Sequence, residues 1–140
     1  MQTFSNIAWV FYLNEVEESG FEQHKVGKWM YFFNDKAFAE KICKDAVERG
    51  IVAESKHSNA DTGVCCFYLN CDDFVAHKRI LTYFLENRLI RKTKTGKLYN
   101  ISFKLDDQTC AGEYGNEFQG QLKLSDFVDL YTGEWINDGH

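Results

Sequence analysis

Two apolar segments constrain the fold more than any other feature of the sequence. VGKWMYFF (residues 26–33) and VCCFYLN (residues 64–70) are nearly unbroken runs of aromatic, β-branched and other apolar residues. Runs of this kind are typical of strands that are buried on both faces. Each run is followed by a segment with helical periodicity. We therefore expect two inner strands of one sheet, with helices that pack on that sheet.

Both helical segments carry signals at their ends. Each begins with an Asn or Asp that can accept the free backbone N–H groups of the first turn, and each ends with a residue that suits a left-handed cap. Apolar residues recur every three or four positions between these ends, which predicts one buried stripe per helix. The candidate caps are Asn34, Asp35 and Gly50 for residues 34–50, and Asp72, Asp73 and Asn87 for residues 72–88.

The remaining segments complete an α+β pattern. Residues 51–58 and 64–70 are expected to form an antiparallel hairpin through a turn at 59–63. The order of elements predicts a curved, mostly antiparallel sheet with two main helices on its convex face, and a concave face on which a ligand can sit. Residues 1–140 form one expected domain. The other expected elements are strands at 6–13 and 98–109, loops at 14–25 and 110–120, and, in 121–136, a short strand, a helical turn from Ser125 and a final strand.

Composition supports a folded, non-membrane protein. The hydrophobic fraction is 44% and the aromatic fraction is 16%, which is ample for a packed core in 140 residues. No apolar run approaches the ~20 residues of a membrane-spanning helix. The N-terminal residues lack the basic start and small-residue cleavage site of a signal peptide. The expectation is a soluble cytoplasmic protein.

The cysteines predict neither a disulfide framework nor a metal site. Their number is odd, and only Cys65, Cys66 and Cys71 lie close together in sequence. Neighbours on a strand point to opposite faces, so Cys65 and Cys66 cannot easily share a metal ion. All five are interpreted as reduced, mostly buried thiols. The sequence predicts no bound metal and no cofactor, and it contains no P-loop or dinucleotide fingerprint.

The net charge of −5 argues against binding to double-stranded DNA. The charge is uneven, however, because residues 88–97 (RLIRKTKTGK) contain basic residues and no acidic ones. Two interpretations stay open for this segment: a solvated turn, or the rim of an anion-binding surface.

The alternation of apolar and polar residues in 98–109 indicates a candidate ligand-binding surface. Lys104, Asp106 and Gln108 share the polar face of that expected strand. If this polar face continues on the neighbouring strands, Lys56 and Lys104 would lie close to amide and phenol groups. Such a set of donors would suit a phosphate or another anion. The alternative is a plain solvated sheet face. His57 next to Lys56 suggests a general base, but strand neighbours face opposite ways, so no catalytic residue is predicted. The candidate ligand-binding residues are Lys56, Tyr68, Lys104, Asp106, Gln108 and Tyr114.

The same residues carry a family resemblance. FKLDDQTCAGEY supplies Lys104, Asp106, Thr109, Gly112 and Tyr114 in the order of a motif of the basophilic-leukaemia-expressed protein family. The order of elements over residues 26–118 also resembles that family. The resemblance implies a fold similar to translation initiation factor 4E, the messenger-cap binder.

Cap binding itself is not expected. A cap binder stacks a methylated guanine between two tryptophan rings carried by loops, and no expected loop of this chain offers a tryptophan. Trp29 resembles a structural tryptophan of that fold. Trp9 and Trp135 lie in expected strands and are interpreted as core or rim residues.

Three functions remain open at this stage. The first is a small non-enzymatic binding protein whose concave sheet face takes a nucleotide or phosphorylated ligand. The second is a protein-interaction or inhibitor factor of bacterial or phage origin. The third is a lyase acting on phosphorylated residues, a label attached to the resembled family, with Lys56 or Lys104 as base. The acidic neighbours of Lys104 disfavour a lysine base, so an enzyme is the least favoured. The oligomeric state does not follow from the sequence.

Overall fold

The computed structural model describes residues 1–14, 21–22, 24–106 and 122–136. These residues form an α+β fold with six strands, two α-helices and one short 3-10 helix, Leu124–Asp126. No helix in these ranges is long and apolar enough to cross a membrane. The strands are β1 (Gln2–Ser5), β2 (Trp9–Leu13), β3 (Val26–Phe33), β4 (Glu54–Ser58), β5 (Gly63–Asn70) and β6 (Lys104–Leu105), and the helices are α1 (Lys36–Glu48) and α2 (Phe74–Glu86).

The strands form one antiparallel sheet in the order β1-β2-β4-β5-β3-β6. Helix α1 connects β3 to β4, which lies on the far side of β5. Helix α2 connects β5 to β6, which lies on the far side of β3. This interleaving is a split β-α-β arrangement, to which β1 and β2 add a hairpin at one edge. The two apolar segments are therefore the inner strands β3 and β5, as the sequence predicts. The expected burial on both faces is wrong for β3, because Phe32 is 61% exposed and β6 pairs only with Gly27 and Lys28.

The helix boundaries follow the expected signals. Asp35 caps α1 by accepting the backbone N–H of Phe38, and Asp73 caps α2 by accepting that of Ala76. Gly50 follows α1 with a φ of 74°, the left-handed conformation that glycine adopts without steric cost. Asn87 ends α2 as expected, but it is not left-handed (φ −99°); the left-handed residue there is Arg88, with a φ of 56°. Local sequence therefore determines where each helix begins and ends, but not the conformation of the residues after α2.

Both helices pack on the same face of the sheet. The Ser55 hydroxyl donates to the Cys43 carbonyl of α1 (2.9 Å), and Trp29 of β3 donates its indole N–H to His77 of α2 (3.0 Å). The Phe67 ring of β5 contacts the rings of Tyr83 and Phe84. This helix-covered face contains the hydrophobic core, and the opposite face carries no helix among the described residues.

Four expected segments differ from the structure: residues 6–13, 51–58, 98–109 and 121–136. The strand expected at 6–13 is shorter and is the second half of a hairpin, because the Asn6 side chain accepts the N–H groups of Ala8 and Trp9 and forms a turn there. The strand expected at 51–58 begins only at Glu54.

The largest difference concerns residues 98–109. Within the described part only residues 104–106 pair with β3: Lys104 and Leu105 form β6, and the Asp106 N–H donates to the Val26 carbonyl. Residues 101–103 instead pair with residues 122–124: Phe103 donates to the Leu122 carbonyl and Leu124 donates to the Ile101 carbonyl. In the segment expected at 121–136, the described residues 122–136 likewise form the 3-10 helix and isolated bridges in place of the two expected strands. Alternation predicted extended backbone correctly, but it cannot specify which neighbour that backbone pairs with.

Candidate functional site

The side of the sheet without helices is the open face. Residues paired directly across an antiparallel sheet share a face, so the strand register assigns each side chain. Lys56 of β4 pairs with Phe11 of β2 and with Cys66 of β5, and Tyr68 of β5 pairs with Lys28 of β3. The open face consists of Phe4, Trp9, Phe11, Lys28, Met30, Phe32, Glu54, Lys56, Cys66, Tyr68, Lys104 and Asp106, together with smaller residues.

Lys56 lies among aromatic rings on the open face. Its ammonium nitrogen is 3.9 Å from the centroid of the Trp9 ring, 5.7 Å from that of Phe11 and 5.8 Å from that of Tyr68. A cation over a ring face is attracted by the ring quadrupole, worth about 0.5–1 kcal/mol at an exposed position. Among the described residues no carboxylate forms an ion pair with Lys56. Its charge is therefore held in place without being neutralised.

Lys28, by contrast, is paired. Its ammonium nitrogen lies 2.5 Å from Oδ1 of Asp106, and both side chains are partly shielded from solvent. Lys104 pairs with Lys28 through the strand register and is exposed. An anion that binds Lys28 would have to compete with Asp106, whereas Lys56 and Lys104 are available without that competition.

Cys66 and Tyr68, which lie next to Lys56 on the open face, are uncharged at neutral pH. Burial raises the pKa of the Cys66 thiol to about 11 and raises the pKa of the Tyr68 phenol. Burial also raises the pKa of the Glu54 carboxyl, while Lys56 opposes that change. Cys66 and Tyr68 are therefore a thiol and a phenol, not anions. They do not compete with an incoming anion for Lys56.

The structure places four of the six predicted ligand-binding residues on the open face: Lys56, Tyr68, Lys104 and Asp106. Gln108 and Tyr114 lie outside the described residues.

The four placed residues do not meet at one point. Lys56 and Tyr68 are neighbours, but strands β5 and β3 separate Lys56 from Lys104. At about 4.8 Å per strand, three spacings put β4 and β6 about 14 Å apart. The two lysines cannot contact one phosphate together, although an elongated ligand can reach both.

Sequence reasoning missed the partners of these residues. Trp9 and Phe11 contact Lys56, and Lys28 holds Asp106. In β2, alternation places Trp9 and Phe11 on the face opposite to the core residue Tyr12. In β3, alternation places Lys28 on the face opposite to the core residue Trp29. Finding them would have required the strand order, because Trp9 and Lys56 are far apart in sequence.

The histidines and cysteines have structural roles in the described part of the chain. His57 is buried on the helix-covered face, opposite to Lys56 as expected, and it lies 3.1 Å from the Tyr12 hydroxyl. Cys43, Cys65, Cys66 and Cys71 are buried thiols. The described residues include no group of three or more His, Cys, Asp or Glu side chains that could hold a metal ion.

Comparisons with protein-family models, with curated proteins and with solved structures found no match to this chain. The resemblance to the basophilic-leukaemia-expressed protein family therefore stays an expectation from sequence. We therefore infer function from the geometry of the open face.

Proposed function

We propose that this protein is a small non-enzymatic binding protein whose open face takes an elongated anionic ligand, a nucleotide or a phosphorylated molecule. The observation that carries the proposal is the Lys56 ammonium, 3.9 Å above the Trp9 ring and without a carboxylate partner in the described part of the chain. Binding an anion there adds a charge-assisted hydrogen bond and breaks no ion pair.

The spacing of the lysines favours an elongated ligand. Lys56 and Lys104 are available on strands about 14 Å apart, and Tyr68 lies on a strand between them. A nucleotide that contacts one lysine with its phosphates can extend along the sheet, where aromatic rings provide surfaces for its base. The expected similarity to translation initiation factor 4E, with a concave ligand face and convex helix face, is part of this proposal and agrees with a ligand on the open face.

A ligand panel with two matched variants tests the proposal. Thermal-shift and calorimetric titrations would use ATP, GTP, UMP and a phosphoserine peptide on the wild type, Lys56→Met and Lys44→Met. Methionine retains most of the stem that covers Trp9 and removes the charge. Lys44 is an exposed lysine on α1, which packs on the opposite side of the sheet from Lys56.

The expected result is binding that weakens about tenfold to a hundredfold in Lys56→Met, because a hydrogen bond to a charged group contributes about 1.5–3 kcal/mol. Lys44→Met should bind as the wild type does. The proposal fails if no member of the panel binds, or if both variants bind equally well.

A further inference from the structure

The edge of β3 beyond its pairing with β6 is uncovered in the described structure. Strand β6 pairs only with Gly27 and Lys28, although β3 continues to Phe33. The chain before β6 turns away because the Ile101 N–H donates to the Tyr99 carbonyl, a tight turn around Asn100. Residues 101–103 then pair with residues 122–124, so they do not cover β3.

The uncovered edge presents four backbone groups in a regular pattern. In an antiparallel strand, the N–H and C=O of alternate residues point to the same side. The Asp106 N–H donates to the Val26 carbonyl, so the groups of residues 26, 28, 30 and 32 point away from β5. Lys28 is paired with Lys104. The N–H and C=O of Met30 and Phe32 have no partner in the described part of the chain.

A groove runs along this edge. It has a volume of about 620 Å³ and lies between residues 30–32 on one side and residues 99–102 on the other. Apolar and polar uncharged side chains form most of its lining. The charged side chains that line it are Arg91 and Lys104, both basic, and the basic segment 88–97 continues from Arg91.

We propose that this edge groove binds an extended acidic peptide segment of a partner protein, which adds to β3 as a further strand. The alternating donors and acceptors of Met30 and Phe32 match the backbone of a strand and no other regular element. Five extended residues span about 17 Å, the length of the edge from Met30 to just beyond Phe33. The basic lining selects acidic side chains at the ends of that segment.

Charge favours a foreign peptide over a second copy of this chain. Another copy could offer β1 or its own uncovered β3 edge, and neither sequence, QTFS or VGKWMYFF, contains an acidic residue. The edge groove shares Lys104 with the open face but does not include Lys56, so variants of Lys56 and of Arg91 test the two proposals separately.

Selection from a displayed library of random eight-residue peptides tests the inference. We expect the selected peptides to be acidic and rich in residues of high β-propensity. They should bind the isolated protein in an extended conformation, with a fitted 1:1 stoichiometry. In hydrogen exchange measured by NMR, the amides of Met30 and Phe32 should exchange rapidly in the free protein and become protected with peptide. Failure to select any peptide, or protection confined to another surface, overturns the proposal.

Two pairs of variants separate backbone pairing from side-chain contact. Phe32→Pro removes an N–H that has no described partner, and proline is tolerated on strand edges whose N–H faces solvent. Phe32→Ala removes the ring and keeps the N–H. We expect a loss of at least about tenfold in peptide affinity for the proline variant and a smaller loss for the alanine variant. Equal losses contradict strand addition.

The second pair tests charge and does not depend on the proline variant folding. Arg91→Glu reverses a charge in the groove lining, and Lys94→Glu reverses an exposed charge on the same basic segment outside the lining. Arg91→Glu should lose acidic-peptide binding by about tenfold or more, and Lys94→Glu should lose much less. Equal effects overturn the acidic preference.

Two measurements on the free protein identify other occupants. If the Met30 and Phe32 amides are already protected in dilute monomer, another part of this chain occupies the groove. If they become protected only as a dimer forms with rising concentration, the occupant is a second copy. Either outcome overturns the proposal, and neither affects the test of Lys56.

Discussion

The imidazole of His77 allows a quantitative test of how the core is held together. Its side chain is fully buried between β3 and α2. The Trp29 indole N–H donates to Nδ1 of His77 (3.0 Å), and Nε2–H of His77 donates to the Cys71 carbonyl (2.9 Å). These two bonds require the neutral tautomer with its proton on Nε2. A proton on Nδ1 would face the Trp29 N–H and break that bond.

The perturbation is His77→Leu, which keeps an apolar side chain of similar size and removes both hydrogen bonds. The Trp29 N–H would then be buried without an acceptor, at a cost of about 1–3 kcal/mol, and the Cys71 carbonyl would lose its imidazole donor, at a cost of about 1 kcal/mol. The free energy of unfolding should fall by about 2–4 kcal/mol at neutral pH. Domains of this size are stable by about 5–15 kcal/mol, so the variant should still fold.

The pH dependence provides a second, independent signature. Burial lowers the pKa of His77 from the ordinary value of 6.5. As pH falls through that value, the unfolded chain binds a proton at this position while the folded protein does not. The free energy of unfolding that neutral His77 contributes is therefore fully present above pH 6.5. This contribution is lost progressively as pH falls toward the lower pKa that His77 has in the folded protein.

Urea unfolding followed by tryptophan fluorescence at several pH values between about 8 and 5 measures both effects. The stability gap between the wild type and His77→Leu should narrow toward acid, because only the wild type loses the contribution of neutral His77. A gap of less than about 1 kcal/mol at neutral pH, or one that does not change with pH, would refute the reasoning.

Two further predictions concern the sheet. Gly27→Ala should destabilise the protein by about 1–3 kcal/mol in chemical denaturation, because a Cβ there would meet the Phe103 ring and lie 2.5 Å from the Lys104 carbonyl oxygen. An unchanged midpoint would show that β6 and its flanking residues can move away without cost. Cys66 should react with iodoacetamide far more slowly in the folded than in the urea-unfolded protein at neutral pH, because burial raises its pKa to about 11 and the thiolate is the nucleophile. Mass spectrometry of its peptide measures this rate, and rapid folded-state alkylation would contradict a buried Cys66.

Residues with local signals were predictable. Asp35 and Asp73 cap their helices where expected, and β3 and β5 lie inside the sheet as their apolar sequences indicate. These features depend on chemistry within a few residues: a carboxylate that accepts backbone N–H groups, and side chains that must leave water. The predicted site residue Lys56 also lies opposite to His57, because alternation along one strand is local.

Pairing between distant strands was not predictable in the same way. The contact of Lys56 with Trp9 depends on β2 lying next to β4, and the separation of Lys56 from Lys104 depends on β5 and β3 lying between them. His77 is buried because the rings of Trp29, Phe103 and Phe127, all distant in sequence, meet it in the core. Nothing within either segment encodes those neighbours.

The sequence by itself determined the α+β class, the ends of both helices and the two inner strands, because these follow from hydrogen-bond capping and from the burial of apolar side chains nearby in the chain. The tertiary structure alone decided the strand order, the aromatic surroundings of Lys56 and the uncovered edge at Met30 and Phe32. Residues 101–103 have the alternation of a strand, and that pattern is satisfied equally well by pairing with β3 or with residues 122–124. Only packing of the whole chain selects between those partners, and that choice leaves the edge groove open.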